Sequence, residues 1–273
     1  MSTTFTASLQ SLPDQFAAGP DHELLVRSGN VILGAPGAQI YLPSNEKVAF
    51  FEDFEKSGQA YSTTAVDGWL SRVGTTNTVN WTVTEAVSGT VVGTIGDTTA
   101  SMAVSGVQLS RGLNWKANQG NLVFEARVKL SQVTTISVFV GLTDQVSALE
   151  MPIQSAASAD TITTNATDAV GFMFDTSMAT DNWWLVGVAN NVDATAQNMG
   201  SAPVADTYAT FRIEVSSAGV ATFYYNGTAV GTAMTGAVTA TVALTPVIAG
   251  FNRTTTGTPT VTADYVHVSA DRA

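Results

Sequence analysis

Thr210-Phe-Arg-Ile-Glu-Val-Ser-Ser-Ala-Gly-Val-Ala-Thr-Phe-Tyr-Tyr-Asn-Gly-Thr-Ala-Val-Gly-Thr232 is the stretch whose reading decides the fold. Phe211, Ile213 and Val215 fall on one side of an extended chain, and Thr210, Arg212 and Glu214 fall on the other. That period of two is the signature of a half-buried strand. Ser216 to Gly219 supply a turn, after which Ala221, Phe223 and Tyr225 resume the apolar face. Asn226-Gly227 then reads as a two-residue hairpin turn, because both central positions need φ > 0 and these residues tolerate it. Three consecutive antiparallel strands place the chain among antiparallel β-sandwiches.

The same pattern extends outward. Leu122, Phe124, Ala126, Val128 and Leu130 alternate with Val123, Glu125, Arg127 and Lys129. Ile136 to Leu142, Val170 to Phe174, Trp183 to Ala189, Pro246 to Phe251 and Val261 to Val268 supply further strands, separated by Asp, Asn, Thr and Gly. The stretch Gln145–Asp168 is polar and rich in Ala, Ser and Thr, and reads as a long loop with a short helix near Ser155–Ala159. Residues 190–207 read as a second loop. The expected fold is all-β, a two-sheet antiparallel jelly-roll sandwich over residues 48–273, with an extended N-terminal arm over residues 1–47.

The arm holds four of the eight prolines, Pro13, Pro20, Pro36 and Pro43. Its apolar pieces, Leu24-Leu25-Val26 and Val31-Ile32-Leu33, flank Ser28-Gly29-Asn30 and predict a small hairpin. These six residues need cover, from the body of the chain or from a neighbouring subunit. A body closed by its own two sheets has limited room for all six, so the arm is expected to make intermolecular contacts.

Composition narrows the function. Of 273 residues, 39 are Thr, and only 12% are charged. Soluble domains usually carry about a quarter, so much of this surface is expected to be occupied by neighbours. The net charge of −11 and the lack of any basic cluster argue against nucleic acid. The absence of Cys excludes disulfides, thiolate nucleophiles and Cys-based metal centres. No basic and apolar leader follows Met1, and no apolar run approaches the ~20 residues of a membrane span.

Phe50-Phe-Glu-Asp-Phe-Glu55, Gly68-Trp69, Gly120 to Val128, Gly171-Phe-Met-Phe174, the Phe-Tyr-Tyr-Asn-Gly hairpin and Ala263-Asp-Tyr-Val-His-Val268 follow one another in an order that resembles the concanavalin A-like lectin/glucanase superfamily, as in laminin G-like modules. The resemblance spans roughly residues 48–270. It implies that the first and last strands of the body are neighbours in one sheet. It does not fix function, because the superfold hosts lectins, hydrolases and structural modules. A glucanase of this kind is expected to carry a Glu-x-Asp-x-Glu strand, whose alternate carboxylates share a face. The nearest set here is Glu52, Asp53 and Glu55, in which Glu52 and Asp53 fall on opposite faces. On that ground the chain is expected not to be an enzyme.

Other candidates are weaker. His22 and His267 lie far apart in sequence, and no Gly-x-Ser-x-Gly elbow supports a His267-based triad. The resemblance implies a calcium site as one option, with Asp144, Asp168, Asp175 and Asp181 as oxygen donors. No Asp-x-Asp-x-Asp loop holds them, and local turn bonding accounts for such acids. Asn226 is likewise explained by its turn. Trp183 and Trp184 are adjacent and so point to opposite faces, one into the core and the other toward a sugar ring or a protein interface. The site residues singled out are therefore Trp183, Trp184, Leu24, Leu25, Val26, Val31, Ile32 and Leu33, with no catalytic, metal or cofactor residues.

The function that sequence alone favours is a structural virion protein made in the host cytoplasm, a phage capsid decoration (cement) subunit. Its partners would be the major capsid protein or other virion proteins, within a homo-oligomer such as a trimer. The alternative is a carbohydrate-binding, lectin-like module or a tail-fibre component, with a glycan as partner.

Overall fold

The computed structural model describes residues 23–27, 30–34 and 47–272, apart from 57, 62–65, 77–78, 88 and 157–159. The chain divides into two compact units, Met1–Ser44 and Asn45–Ala273. In the first, β1 (Glu23–Arg27) and β2 (Asn30–Gly34) pair as an antiparallel hairpin with Leu24 opposite Leu33 and Val26 opposite Val31. The side chains of Leu24, Leu25, Val26, Val31, Ile32 and Leu33 lie outside what the structure describes.

The second unit runs β3 (Lys47–Glu52), β4 (Ala60–Tyr61), β5 (Leu70–Val73), β6 (Asn80–Thr84), β7 (Thr90–Thr94), α1 (Met102–Ser105), β8 (Val107–Ser110), β9 (Leu122–Leu130) and β10 (Ile136–Thr143). It continues through β11 (Ile153–Ser155), β12 (Ile162–Thr164), β13 (Ala169–Asp175), β14 (Trp183–Ala189), β15 (Val192–Asp193), β16 (Gln197–Asn198) and β17 (Ala209–Val215). It ends with β18 (Ala221–Tyr225), β19 (Thr228–Met234), β20 (Thr245–Asn252) and β21 (Thr260–Asp271). A nine-stranded sheet has the order β19-β18-β17-β9-β21-β7-β6-β4, with β3 also on β21. An eight-stranded sheet has the order β15-β14-β13-β10-β20-β8-β5, with β16 also on β14. The fold is the antiparallel jelly-roll sandwich that the alternation predicts. First and last strands of the body pair, with Phe50 opposite Val268 and Glu52 opposite Val266.

The Asn226-Gly227 turn has φ of 49° and 78°, the left-handed pair that joins β18 to β19. The Asn226 carboxamide adds a lock, accepting the Thr210 N–H at 2.8 Å. Strands β9 and β17 bury every second residue, so their polar residues line the outer face of the nine-stranded sheet.

The eight-stranded sheet departs from expectation. Strands β10, β13 and β20 are buried along their whole length. One face packs on the nine-stranded sheet. The other carries Phe139, Met173, Trp184, Val247 and Phe251, and is covered by Met151, Ile153 and Ala166. The segment read as a loop with a short helix thus contains the β11–β12 hairpin and lays a third apolar layer on the sandwich. Its polar composition hid this, because only a few apolar residues carry the cover. Residues 157–159 of the expected helix lie outside the described residues.

Candidate functional site

The outer face of the nine-stranded sheet carries one continuous cross-strand row. Phe51 lies opposite His267, His267 opposite Glu125, Glu125 opposite Arg212, and Arg212 opposite Tyr224. The row crosses β3, β21, β9, β17 and β18. Four inter-strand spacings make it about 19 Å long. A β-bulge between Ala263 and Tyr265 adds Asp264 to β21 and shifts the register by one residue, so that Tyr265 stands opposite Arg127.

From Glu125 to Tyr224 the row is tied together by charge-assisted hydrogen bonds through Arg212 and Glu214. Glu125 accepts the Tyr265 hydroxyl at 2.7 Å and the Arg212 Nη1 at 3.5 Å. Arg212 also donates to Glu214 through Nε at 3.0 Å and Nη2 at 2.6 Å. Glu214 in turn accepts the Tyr224 hydroxyl at 3.3 Å. Alongside, Arg127 pairs with Asp264 at 2.5 Å and lies 4.3 Å from the Tyr208 ring. Phe51, 59% exposed, stacks on Tyr265 at 5.7 Å.

Protonation follows from these contacts. Burial, reinforced by the Glu125 carboxylate, pushes the Tyr265 hydroxyl up to about 12, so it remains a donor. Burial pulls His267 below its ordinary range despite Glu125, and Arg212 adds to that pull. His267 is therefore neutral at neutral pH and offers one donor and one acceptor. Burial works against the Arg212 charge, but Glu214 and Glu125 outweigh it and hold the guanidinium firmly protonated. The result is an open face with aromatic rings at both ends and fixed donors and acceptors between them.

The residues singled out from sequence go elsewhere. Trp183 and Trp184 do take opposite faces of β14, but both are buried, at 2% and 5% exposed. Trp183 joins the core between the sheets and Trp184 the added layer. The exposure expected of one of them does not occur, because the β11–β12 segment covers that face.

Of the four candidate calcium donors only Asp144 and Asp168 are neighbours, the Asp144 N–H donating to the Asp168 carbonyl at 2.9 Å, and no group of three His, Asp or Glu side chains suited to a metal occurs among the described residues. Asp168 is buried and accepts the Thr239 and Asn190 N–H groups at 2.5 and 3.2 Å. Asp175 is buried beneath Arg253, and Asp181 is exposed. Glu52 braces the opening corner, accepting the Phe54 N–H at 3.1 Å and the Trp69 indole N–H at 3.3 Å. Sequence reading missed the row because its members come from five strands and share a line only after register is set.

No protein-family model matches the chain, and no curated protein matches it. Solved structures do. A Bacillus licheniformis β-glucanase is 14% identical with a TM-score of 0.52, covering 81% of this chain and 97% of its own. A β-1,3-glucanase from Mycobacterium marinum is 10% identical with a TM-score of 0.51, covering 80% and 97%. The carbohydrate recognition domain of Emp47p is 10% identical with a TM-score of 0.53, covering 87% of this chain and all of its own. The jelly roll is thus of the concanavalin A-like kind.

These likenesses correct one expectation. The chain was expected not to be an enzyme for want of two carboxylates at short spacing on one strand. Glucanases share its fold, so the fold does not set it apart from glycoside hydrolases. The spacing test was also too narrow, since strand pairing brings Glu125 and Glu214 onto one Arg212 guanidinium from different strands.

Proposed function

We propose that this chain is a carbohydrate-recognising protein whose glycan lies along the Phe51–His267–Glu125–Arg212–Tyr224 row. The row itself carries the reading. Aromatic faces can stack on the apolar faces of sugar rings, and tethered donors and acceptors between them can meet hydroxyl groups. The arrangement is bound into the sheet, so little order has to be gained on binding. The carbohydrate recognition domain and the glucanases of like fold support the same class of ligand.

The test is a glycan panel scored for binding and, in parallel, for released reducing ends. Tyr224→Ala and His267→Ala are each expected to weaken the best ligand about tenfold, through lost stacking and lost hydrogen bonds. Unchanged affinity in both variants would move the site off this face. Turnover lost in Glu125→Gln or Glu214→Gln would make the row an active site as well.

A second reading, a structural virion subunit, keeps one observation in its favour. Edge strand β19 carries no charged residue and is exposed over most of its length, the kind of edge that pairs with another chain. Co-purification with virus particles, without glycan binding, would favour it.

A further inference from the structure

A groove of about 520 Å³, a size that suits a small ligand, opens at one end of the sandwich. It is lined by Leu113, Asn114, Lys116, Asn118, Gln119 and Arg272. The first five belong to the segment that joins β8 to β9, and Arg272 follows β21.

The segment is anchored from beneath. Trp115 and Ala117 are buried, whereas Asn114, Lys116 and Asn118 turn outward. The Asn114 and Trp115 N–H groups both donate to the Leu244 carbonyl at 3.2 Å, and the Asn118 N–H donates to the Ala240 carbonyl at 2.9 Å. Gln119 Oε1 accepts the Lys116 N–H at 2.7 Å, which leaves its Nε2 to donate elsewhere. The backbone of the lining is thus in place before anything binds.

The groove runs against the charge of the chain. The chain carries −11, yet the lining holds two cations and no carboxylate. Asp271, next to Arg272, is not in the lining and accepts the Asn121 carboxamide N–H at 2.7 Å. Among the described residues no ion pair includes Lys116, and no hydrogen bond engages the Asn114 or Asn118 carboxamides. An ammonium and three carboxamides therefore converge on one small volume.

We infer that this groove binds a sugar acid, a small polyhydroxylated carboxylate, with its carboxylate at Lys116 and its hydroxyls at the Asn114, Asn118 and Gln119 carboxamides. A carboxylate is held best by charged donors. Carboxamides both donate and accept, as hydroxyl groups do. Leu113, 39% exposed, gives the C–H face of a sugar an apolar contact. No aromatic ring lines the groove, so a nucleobase or an aromatic acid would find nothing to stack on. Arg272 is five residues on from His267, about 17 Å along β21 from the glycan row. The inference does not rest on binding at that row.

The experiment titrates the full chain with sodium D-glucuronate, D-glucose and sodium acetate, read by calorimetry and by the side-chain amide NMR signals of Asn114, Asn118 and Gln119. Glucuronate is expected to bind at least about tenfold more tightly than glucose, which lacks the charge, and than acetate, which lacks the hydroxyls. Lys116→Gln should bring glucuronate down to the level of glucose. Asn118→Ala should narrow its advantage over acetate. Both side chains are exposed and the backbone bonds remain in the variants, so the fold is retained. Tyr224→Ala, in the row, should leave glucuronate affinity unchanged. Equal affinity for glucuronate and either control, no saturable binding of glucuronate, an unaltered preference in Lys116→Gln, or a loss of glucuronate binding in Tyr224→Ala would each overturn the proposal.

Discussion

Replacing Asp175 by alanine is expected to lower stability by about 3–5 kcal/mol, the range for removing one partner of a buried ion pair. For a body of this size that is a fall of roughly 6–20 °C in Tm. Asp175 is fully buried and serves four groups at once. It accepts the Ser137 hydroxyl at 2.7 Å, the Ser155 N–H at 2.9 Å and the Ser177 N–H at 3.0 Å, and it pairs with Arg253. Alanine would strand a guanidinium whose side chain is only 17% exposed, together with a buried hydroxyl and a buried N–H. Ser155 ends β11, so the loss should also loosen the hairpin that covers the eight-stranded sheet. Asp175→Asn keeps acceptor capacity and should cost less. Removing both partners, Asp175→Leu with Arg253→Met, should recover part of the loss, because no charge is then left unpaired. Thermal denaturation by circular dichroism checks all three. A loss under about 1 kcal/mol in Asp175→Ala would show that water replaces the carboxylate without cost.

How much of this was legible in the sequence depends on which face a strand turns to water. Strands β9, β17 and β18 face solvent on one side, so their alternation gave direction, partner and turn together. Strand β13, Ala-Val-Gly-Phe-Met-Phe-Asp, is buried on both sides and reads as an unbroken apolar run. Such a run announces a strand without saying what lies over its second face. The cover comes from Met151, Ile153 and Ala166, set in a stretch dominated by Ala, Ser and Thr. That is why one of Trp183 and Trp184 was expected at the surface, whereas Trp184 is found beneath a third layer. The candidate row was illegible for a different reason. Glu125, Arg212, Tyr224 and His267 were each visible as outward residues, but which stands opposite which depends on register. The single extra residue at Asp264 shifts that register within β21.

Phe172→Ala is expected to cost about 3–5 kcal/mol, the range for emptying a buried phenyl site. Phe172 stands on β13 of the eight-stranded sheet and is fully buried. Its ring meets Phe211 of β17 at 5.0 Å and Phe223 of β18 at 5.4 Å, both edge-to-face. These contacts cross the sandwich, so the cavity would open between the two sheets and not within one. Trp183 extends the cluster, 4.7 Å from Phe211. Phe172→Leu keeps most of the volume and should cost less than about 2 kcal/mol. A double-mutant cycle between Phe172→Leu and Phe223→Leu should give a coupling of about 0.5–1.5 kcal/mol, the worth of an edge-to-face pair. The consequence reaches the outer face. Arg212 follows Phe211 and Tyr224 follows Phe223, so the inward burial of each phenyl fixes the outward direction of the next side chain. Phe172→Ala should therefore weaken glycan binding at the row without touching it, whereas an equally destabilising change on β6, such as Trp81→Ala, should leave affinity intact in the folded fraction. Equal glycan affinity in the Phe172→Ala and parent proteins would show that the row is held by its own ion pairs, Arg212 with Glu125 and Glu214, and not by the core beneath it.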